Sequence, residues 1–562
     1  MRDLITVAHR GDADVDAKPC GVLIDIQGNS AYRDVEAVVT GPMGVSGHDN
    51  SVGIIAKGKI TLFLGTLAYD LWRSMTLRPG AWKRREGTAP GASRSEVHLL
   101  PSALIGTIEC HHALRGGQNS VVRRHEPELV VPAKPTPREC KLLSDIDDQD
   151  GHRFQIRGLH FYRFKPSMQG KDPACIIKEA LTKALVFYYP YAGRLREGPN
   201  RKLVVDCTGE GVLFIQADAD VTLDQFGDSL HPPFPCYKEL LYEVPGSNEI
   251  LNCPLLQIQV TRLKCGGFIL AHRFNHTMND AVGQSQFMCA MGEMARGALA
   301  PSTPPVWERH LLNARHSPLI TCVHDEYDNA TLTNGIEIPD NLLHRSFFFG
   351  PTQISALRRF VPHNLRCSTF DIVTACLWRC RTKALKLGPN DDVRFICIVN
   401  VRSKFNPPLP SGFYGNALGY PAALTTAGQL CQNPMEYAIQ LVRQAKAKIT
   451  EEYMKSTADL MVIRGRPNVN TVRCFMVSDL TRAKFREVDF GWGEAEFGGP
   501  AYGGDIISFY IPSKNKEGEG GIVVPVCLPA PVMESFVKEL DGILSNDEAA
   551  AGAENEILRC KF

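Results

Sequence analysis

The sequence predicts an α+β fold built in two halves, and three observations carry that expectation. From residue 120 onward, strand-like and helix-like segments mix without the strict βαβ alternation of a doubly wound sheet. A Pro-rich, polar stretch over 298–340 separates two such mixed groups and reads as a crossover. The organisation expected is an N-terminal extension over 1–119, a half over 120–310, a crossover loop over 311–340 and a second half over 341–562.

Residues 1–119 are rich in Gly and small residues, with short apolar stretches at Gly21–Ile26 and Ile60–Trp72, and read as a poorly ordered extension. VVRRHEPELVVPAKPTPRE then reads as an entry strand that breaks at its prolines. Leu159–Phe164 is strand-like, and Cys175–Tyr188 carries apolar residues at helical spacing. Leu203–Asp206 and Val212–Ala217, joined by CTGEG, predict a hairpin. Leu255–Leu263 and Gly266–Phe274 predict two strong strands, followed by a helix over Asp280–Arg296. Past the crossover come a strand (Arg345–Phe349), a helix (Thr369–Leu387), a buried strand (Val393–Val399) and a helix (Pro434–Ser456). A strand (Thr471–Ser478), a strand pair (Ile506–Ile511, Gly521–Leu528) and a closing helix (Pro531–Leu544) complete the second half.

With 62 Lys+Arg against 61 Asp+Glu, the chain lacks the basic excess of a nucleic-acid or anionic-membrane binder. No apolar run approaches the roughly 20 residues of a membrane span. The 18 cysteines lie singly, without a CxxC pair, and read as small hydrophobes of a reduced compartment. The N-terminus has acidic residues where a secretory signal has its apolar core. A cytoplasmic, monomeric protein without nucleic-acid or membrane partners is the expectation.

Two short segments stand out chemically. His276 ends the strand-like GFILAHRFN, and Asp280 opens a helix four residues later. A His at such a turn can project its ring into a cleft. By spacing alone it reads equally as a satisfied structural histidine. A second HxxxD, His324–Asp328, sits in the polar crossover and reads as solvated loop. His272 and His276 have zinc-protease spacing, but HRFNH lacks the Glu base and no third ligand is in view, so no metal is expected. Cys110–His111–His112 has no partners, and neither a GxSxG elbow nor a P-loop occurs. The other segment is DFGWG: Asp489, Phe490, Gly491, Trp492 and Gly493. Its glycines mark a tight loop, and locally Trp492 reads as a plug in an apolar slot, with Asp489 pairing a base or capping amides.

Together, and in this order, HTMND (276–280) and DFGWG (489–493) resemble the plant BAHD acyltransferases. YPYAGRL (189–195), STFDIVTACLWR (368–379), NVRSKFNPPLP (400–410) and YGNALG (414–419) carry the same resemblance, which covers roughly residues 120–545. RRHEPELVVPAKPTP, LLSDIDDQDG and RFNHTMNDAVGQSQFM are similar to the benzyl alcohol O-benzoyltransferase and alcohol acyltransferase branch. The resemblance implies two chloramphenicol-acetyltransferase-like domains with a channel between them. It implies His276 as general base and acyl-CoA as co-substrate, with no bound cofactor. A small alcohol such as benzyl alcohol would accept a benzoyl or short-chain acyl group. An acyl-enzyme is not required, because CoA thiolate is already a good leaving group. Asp280 would orient the turn by pairing with an Arg, for which Arg402 is the candidate, and DFGWG would be architectural. Asn416 and Ser478 are expected on the channel, where their donors would steady an oxyanion. Leu480, where hydroxycinnamoyl-type relatives carry a Trp, favours a smaller, less polar acceptor over shikimate or quinate. An amine acceptor, and a non-catalytic binding relative, are the alternatives; the latter predicts loss of His276 or DFGWG, and both are present.

Overall fold

The computed structural model describes residues 3–6, 21–27 and 34–40, then 122–545 apart from 228–229, 235, 328–341, 505 and 516. The chain divides into two units, residues 1–102 and 103–562. In the first, Asp3–Thr6, Gly21–Gln27 and Asp34–Thr40 form an antiparallel meander. Most of the expected extension, including Ile60–Trp72 and the Cys110–His112 cluster, lies outside the described residues.

The larger unit is built on two seven-stranded mixed sheets. At the centre of the first, Leu256–Leu263 and Phe268–Asn275, the two strands expected here, pair antiparallel across a turn at Gly266. Every residue of Phe268–Asn275 is buried, because both sheet faces are covered. On one face lie Pro173–Phe187 and Ala281–Ala295, two helices whose Leu, Met and Phe side chains share a core with Leu270 and Phe274. The other face packs around Leu159, Phe161 and Ile269. Gln155–Tyr162 flanks the hairpin, and Val212–Ala219 pairs parallel to it on the opposite side. The far edge is Phe497–Pro500, which comes from the second half of the chain and pairs with Gln155–Tyr162.

In the second sheet the order is Leu342–Phe349, Gly520–Pro529, Ile507–Lys514, Cys474–Asp479 and Asp392–Asn400, with Leu418–Gly419 and Ala422–Thr426 on the last strand. The helices Thr369–Ala384, Met435–Ala447 and Ala530–Leu544 cover it. Mixed sheets with helices packed on them bear out the α+β expectation.

Three local expectations are corrected. Leu203–Asp206 and Val212–Ala219 are both strands but not a hairpin: the first pairs with Arg194–Glu197 and Cys140–Leu142, the second enters the large sheet. Gly209 and Gly211, both at positive φ, let the connector leave one sheet for the other. The helix expected over Pro434–Ser456 is two, Met435–Ala447 and Glu451–Ile463, because Thr450 turns extended and caps a new N-terminus through a bond from the Tyr453 N–H. His324 is not solvated loop: the second of those helices buries it, with Nδ1 against Glu326 at 3.0 Å and Nε2 against Ser456 at 2.8 Å.

Candidate active site

His276 begins a single 3₁₀ turn, His276–Met278, where the buried strand Phe268–Asn275 stops. Asn275 ends the strand locally: its side-chain oxygen accepts from the N–H and hydroxyl of Thr277. Asp280 then caps the helix Ala281–Ala295, accepting from the N–H groups of Val282 and Gly283. Gly283 allows that helix start to press on the YGN segment, since a Cβ there would lie 2.1 Å from the Tyr414 carbonyl oxygen.

Four contacts immobilise the HTMND turn. The Tyr191 hydroxyl, from YPYAGRL, donates to Asn279 at 2.9 Å. Arg309 donates to the Met278 carbonyl at 2.8 Å. Asn416 donates to the His276 carbonyl at 2.8 Å. Arg402 forks onto Asp280, with guanidinium-to-carboxylate distances of 2.7 and 2.9 Å, and its remaining donors reach the Phe413 and Gly415 carbonyls. Asp280 also accepts from the Ala417 N–H. The carboxylate is therefore committed to the second half of the molecule and does not bond the imidazole. Burial alone would raise its pKa; the Arg402 charge and hydrogen bonds outweigh that and hold it below the usual carboxylate value.

Beneath the turn lies a buried ion pair that the sequence did not reveal. Asp147, within LLSDIDDQDG, accepts from Arg309 at 2.8 Å and from both the backbone and side-chain N–H of Asn416. Arg309 sits against the faces of Trp307 and Tyr414. No spacing rule links Asp147 to Arg309; the only available signal was that LLSDIDDQDG carries part of the resemblance.

The imidazole of His276 is half-buried, with Nδ1 buried. One face stacks on His152 at 4.7 Å, nearly parallel at 5°, and Phe154 meets the ring in a T-shape at 5.0 Å. Burial pushes the His276 pKa below its ordinary value, while its own carbonyl, Asp280, Asn416 and Asp147 pull the other way.

Asn416 is fully buried, and both hydrogens of its amide are engaged by Asp147 and the His276 carbonyl. It has no free amide hydrogen to offer an oxyanion; both hydrogens hold the HTMND turn and Asp147 together. Ser478 lies in the strand Cys474–Asp479, in register between Ile398 and Phe509, and takes no part in the contacts of His276 described above. The zinc-like pair separates as well: His272 bonds Gln284 at 3.0 Å. Among the described residues no three His, Cys, Asp or Glu side chains converge as metal ligands.

DFGWG lies away from this turn, in the core of the first sheet. Phe490 and Trp492 pack T-shaped on Tyr162 and Phe268, at 5.8 and 5.1 Å. Asp489 accepts from the N–H groups of Gly491 and Gly493, each at 2.7 Å, closing a loop whose two glycines both have positive φ. Asp489→Ala is expected to cost about 1–3 kcal/mol of stability by leaving those donors unpaired. Chemical denaturation measures that cost; an unchanged midpoint would refute it. Leading into the loop, Leu480, Phe485 and Arg486 line a cavity of about 410 Å³ against Gly498–Pro500.

Residues 121–542 match the family model described as the Transferase family. The chain is 64% identical over 433 residues to a benzyl alcohol O-benzoyltransferase of Petunia hybrida, covering 76% of this chain and 94% of that protein. It is 63% identical to the protein of the same name from Nicotiana tabacum, covering 78% and 97%. To an alcohol acyl transferase 1 of Malus domestica it is 55% identical, covering 75% and 94%. Among solved structures, vinorine synthase aligns with a TM-score of 0.58 at 22% identity, over 74% of this chain and 96% of that one, a likeness of fold. Family model, near relatives and fold agree: this chain is an acyltransferase belonging to the Transferase family, the BAHD acyltransferases that HTMND and DFGWG resemble.

Proposed function

We propose that the protein transfers an acyl group from coenzyme A to a small alcohol, with benzoyl-CoA and benzyl alcohol as the first pair to try, and that His276 is the general base. The observation that carries the mechanism is the turn held on four sides, from which only the imidazole remains to meet a substrate. An alcohol is a weak nucleophile at neutral pH; Nε2 takes its proton as the oxygen attacks the thioester carbonyl. The C–S bond then breaks, and CoA thiolate leaves and recovers the proton from the imidazolium. Holding both substrates beside a fixed ring supplies much of the remaining rate. Asp280 and Arg402 position the turn, and Leu480, packed with Ala483 and Phe485, gives an apolar wall that suits a small, weakly polar acceptor. Catalysis resides in residues 120–545, in a monomer working in the cytoplasm.

The test is CoA release from benzoyl-CoA and acetyl-CoA against a panel of alcohols and amines, with product identified by mass, on the full chain and on a chain lacking residues 1–119. Ester formation from benzyl alcohol by both chains is expected. Amide formation alone would move the acceptor to an amine. No turnover of any pair would refute the proposal, and inactivity of the shortened chain alone would refute the assignment of catalysis to 120–545.

A further inference from the structure

His152 belongs to none of the chemistry assigned so far, yet its ring lies flat on that of His276, 4.7 Å between centroids and 5° from parallel. It is buried, and each of its nitrogens has a partner. Nδ1 lies 3.3 Å from the Asp147 carbonyl oxygen, which can only accept, so Nδ1 carries the hydrogen. Nε2 is then a lone pair, and it accepts from the Tyr420 hydroxyl at 2.5 Å. Backbone on one side and phenol on the other lock His152 into one neutral tautomer. We infer that His152 is a positioning residue for acyl transfer: its face fixes the plane of the His276 ring and steadies the imidazolium formed when His276 takes the alcohol proton.

This rests on His276 being the base. Phe154 meets the ring in a T-shape, and the stacked face of His152 sets the tilt of its plane. A neutral π face beside a forming cation is attractive, whereas a charged His152 would repel it. Burial foremost, with His276 adding to it, pulls the His152 pKa down to about 3, so the ring stays neutral while His276 titrates. The other groups around His276 are Asp147, paired to Arg309, from the same segment; Asp280, paired to Arg402, from the helix start; and Asn416 from the YGN segment. Tyr420 stands behind His152.

The experiment measures kcat, KM and the pH profile of kcat/KM on the full chain with benzoyl-CoA and benzyl alcohol, with a thermal melt to confirm folding. His152→Leu removes the flat face: kcat is expected to fall about 10-fold, with KM within about twofold. The acid limb should move to lower pH by about half a unit, because the imidazolium loses its neighbour. His152→Phe restores a flat face and should return kcat to within about threefold of wild type, with the limb in its original place. A wild-type kcat in His152→Leu overturns the inference. So does a loss that Phe does not rescue and that leaves the limb unmoved, since that is a packing defect. If His152→Leu does not fold, Tyr420→Phe decides: with Nε2 unpartnered the ring is held only through Nδ1, its plane loosens and kcat should fall about threefold, and an unchanged kcat overturns the inference. Full activity in His276→Ala, run alongside, is a separate result that would refute the base itself.

Discussion

His276→Ala is expected to lower kcat roughly 10²- to 10⁴-fold, the range that a positioned general base supplies. KM for benzoyl-CoA should change little, because the turn's backbone contacts survive: Asn416 holds a carbonyl and Phe154 accepts from the residue's N–H, and neither needs the ring. Folding should survive too, since the side chain is only half-buried and spans no ion pair. CoA release in single-turnover and steady-state assays reads both constants; a variant with wild-type kcat would remove His276 from the chemistry. A base at this position would also set the pH dependence: it would work as the neutral form, so activity is expected to fall as pH drops through its pKa and to be flat above it. Burial lowers that pKa, so the acid limb of kcat/KM should lie below the ordinary imidazole value of about 6.5. A limb above that value would mean that the carboxylates outweigh burial.

The parts of the fold that were legible in the sequence are those decided by local pattern. In the pair Leu256–Leu263 and Phe268–Asn275, LQIQVTRL alternates apolar and polar residues, FILAHRFN opens on four apolar ones, and a short glycine turn joins them, so both strand type and partner are local. Where the partner is distant, pattern says nothing about it. Leu203–Asp206 and Val212–Ala219 are adjacent and both strand-like, but a glycine connector sends them to different sheets. FGGP at 497–500 carries little strand signal and pairs with Gln155–Tyr162, a partner in the other half. The site divides in the same way. His276 and Asp280 share one short motif, and Arg402 lies just past the strand Asp392–Asn400, most of which reads as buried. Asp147 and His152 from one segment, Arg309 from a second and Tyr420 from a third meet only in the tertiary fold. Arg309 in particular sits in a polar stretch, where an arginine reads as solvated until Trp307 and Tyr414 are seen to enclose it.

Arg402→Ala is expected to cost about 3–5 kcal/mol of stability, because it leaves Asp280 a buried charge without its counterion. The carboxylate would keep its bonds from Val282, Gly283 and Ala417, but those hydrogen bonds alone do not replace a forked guanidinium. In the native protein Asp280 has a depressed pKa, so its contribution to stability is present above the unfolded value of about 3.9 and is lost as pH falls through the folded one. In the variant, burial acts unopposed by Arg402 and pushes the same pKa upward. The stability deficit should thus be largest near neutral pH and narrow in acid, which denaturation curves at two pH values would reveal. Activity should fall as well, with kcat affected more than KM, since the turn carrying His276 loses the fork that ties it to the second half. Arg402→Lys should recover part of the stability but less of the rate, because an ammonium restores the charge without the two-pronged geometry. A stable, fully active Arg402→Ala would show that the helix cap alone holds Asp280, and that the pair does not position the base.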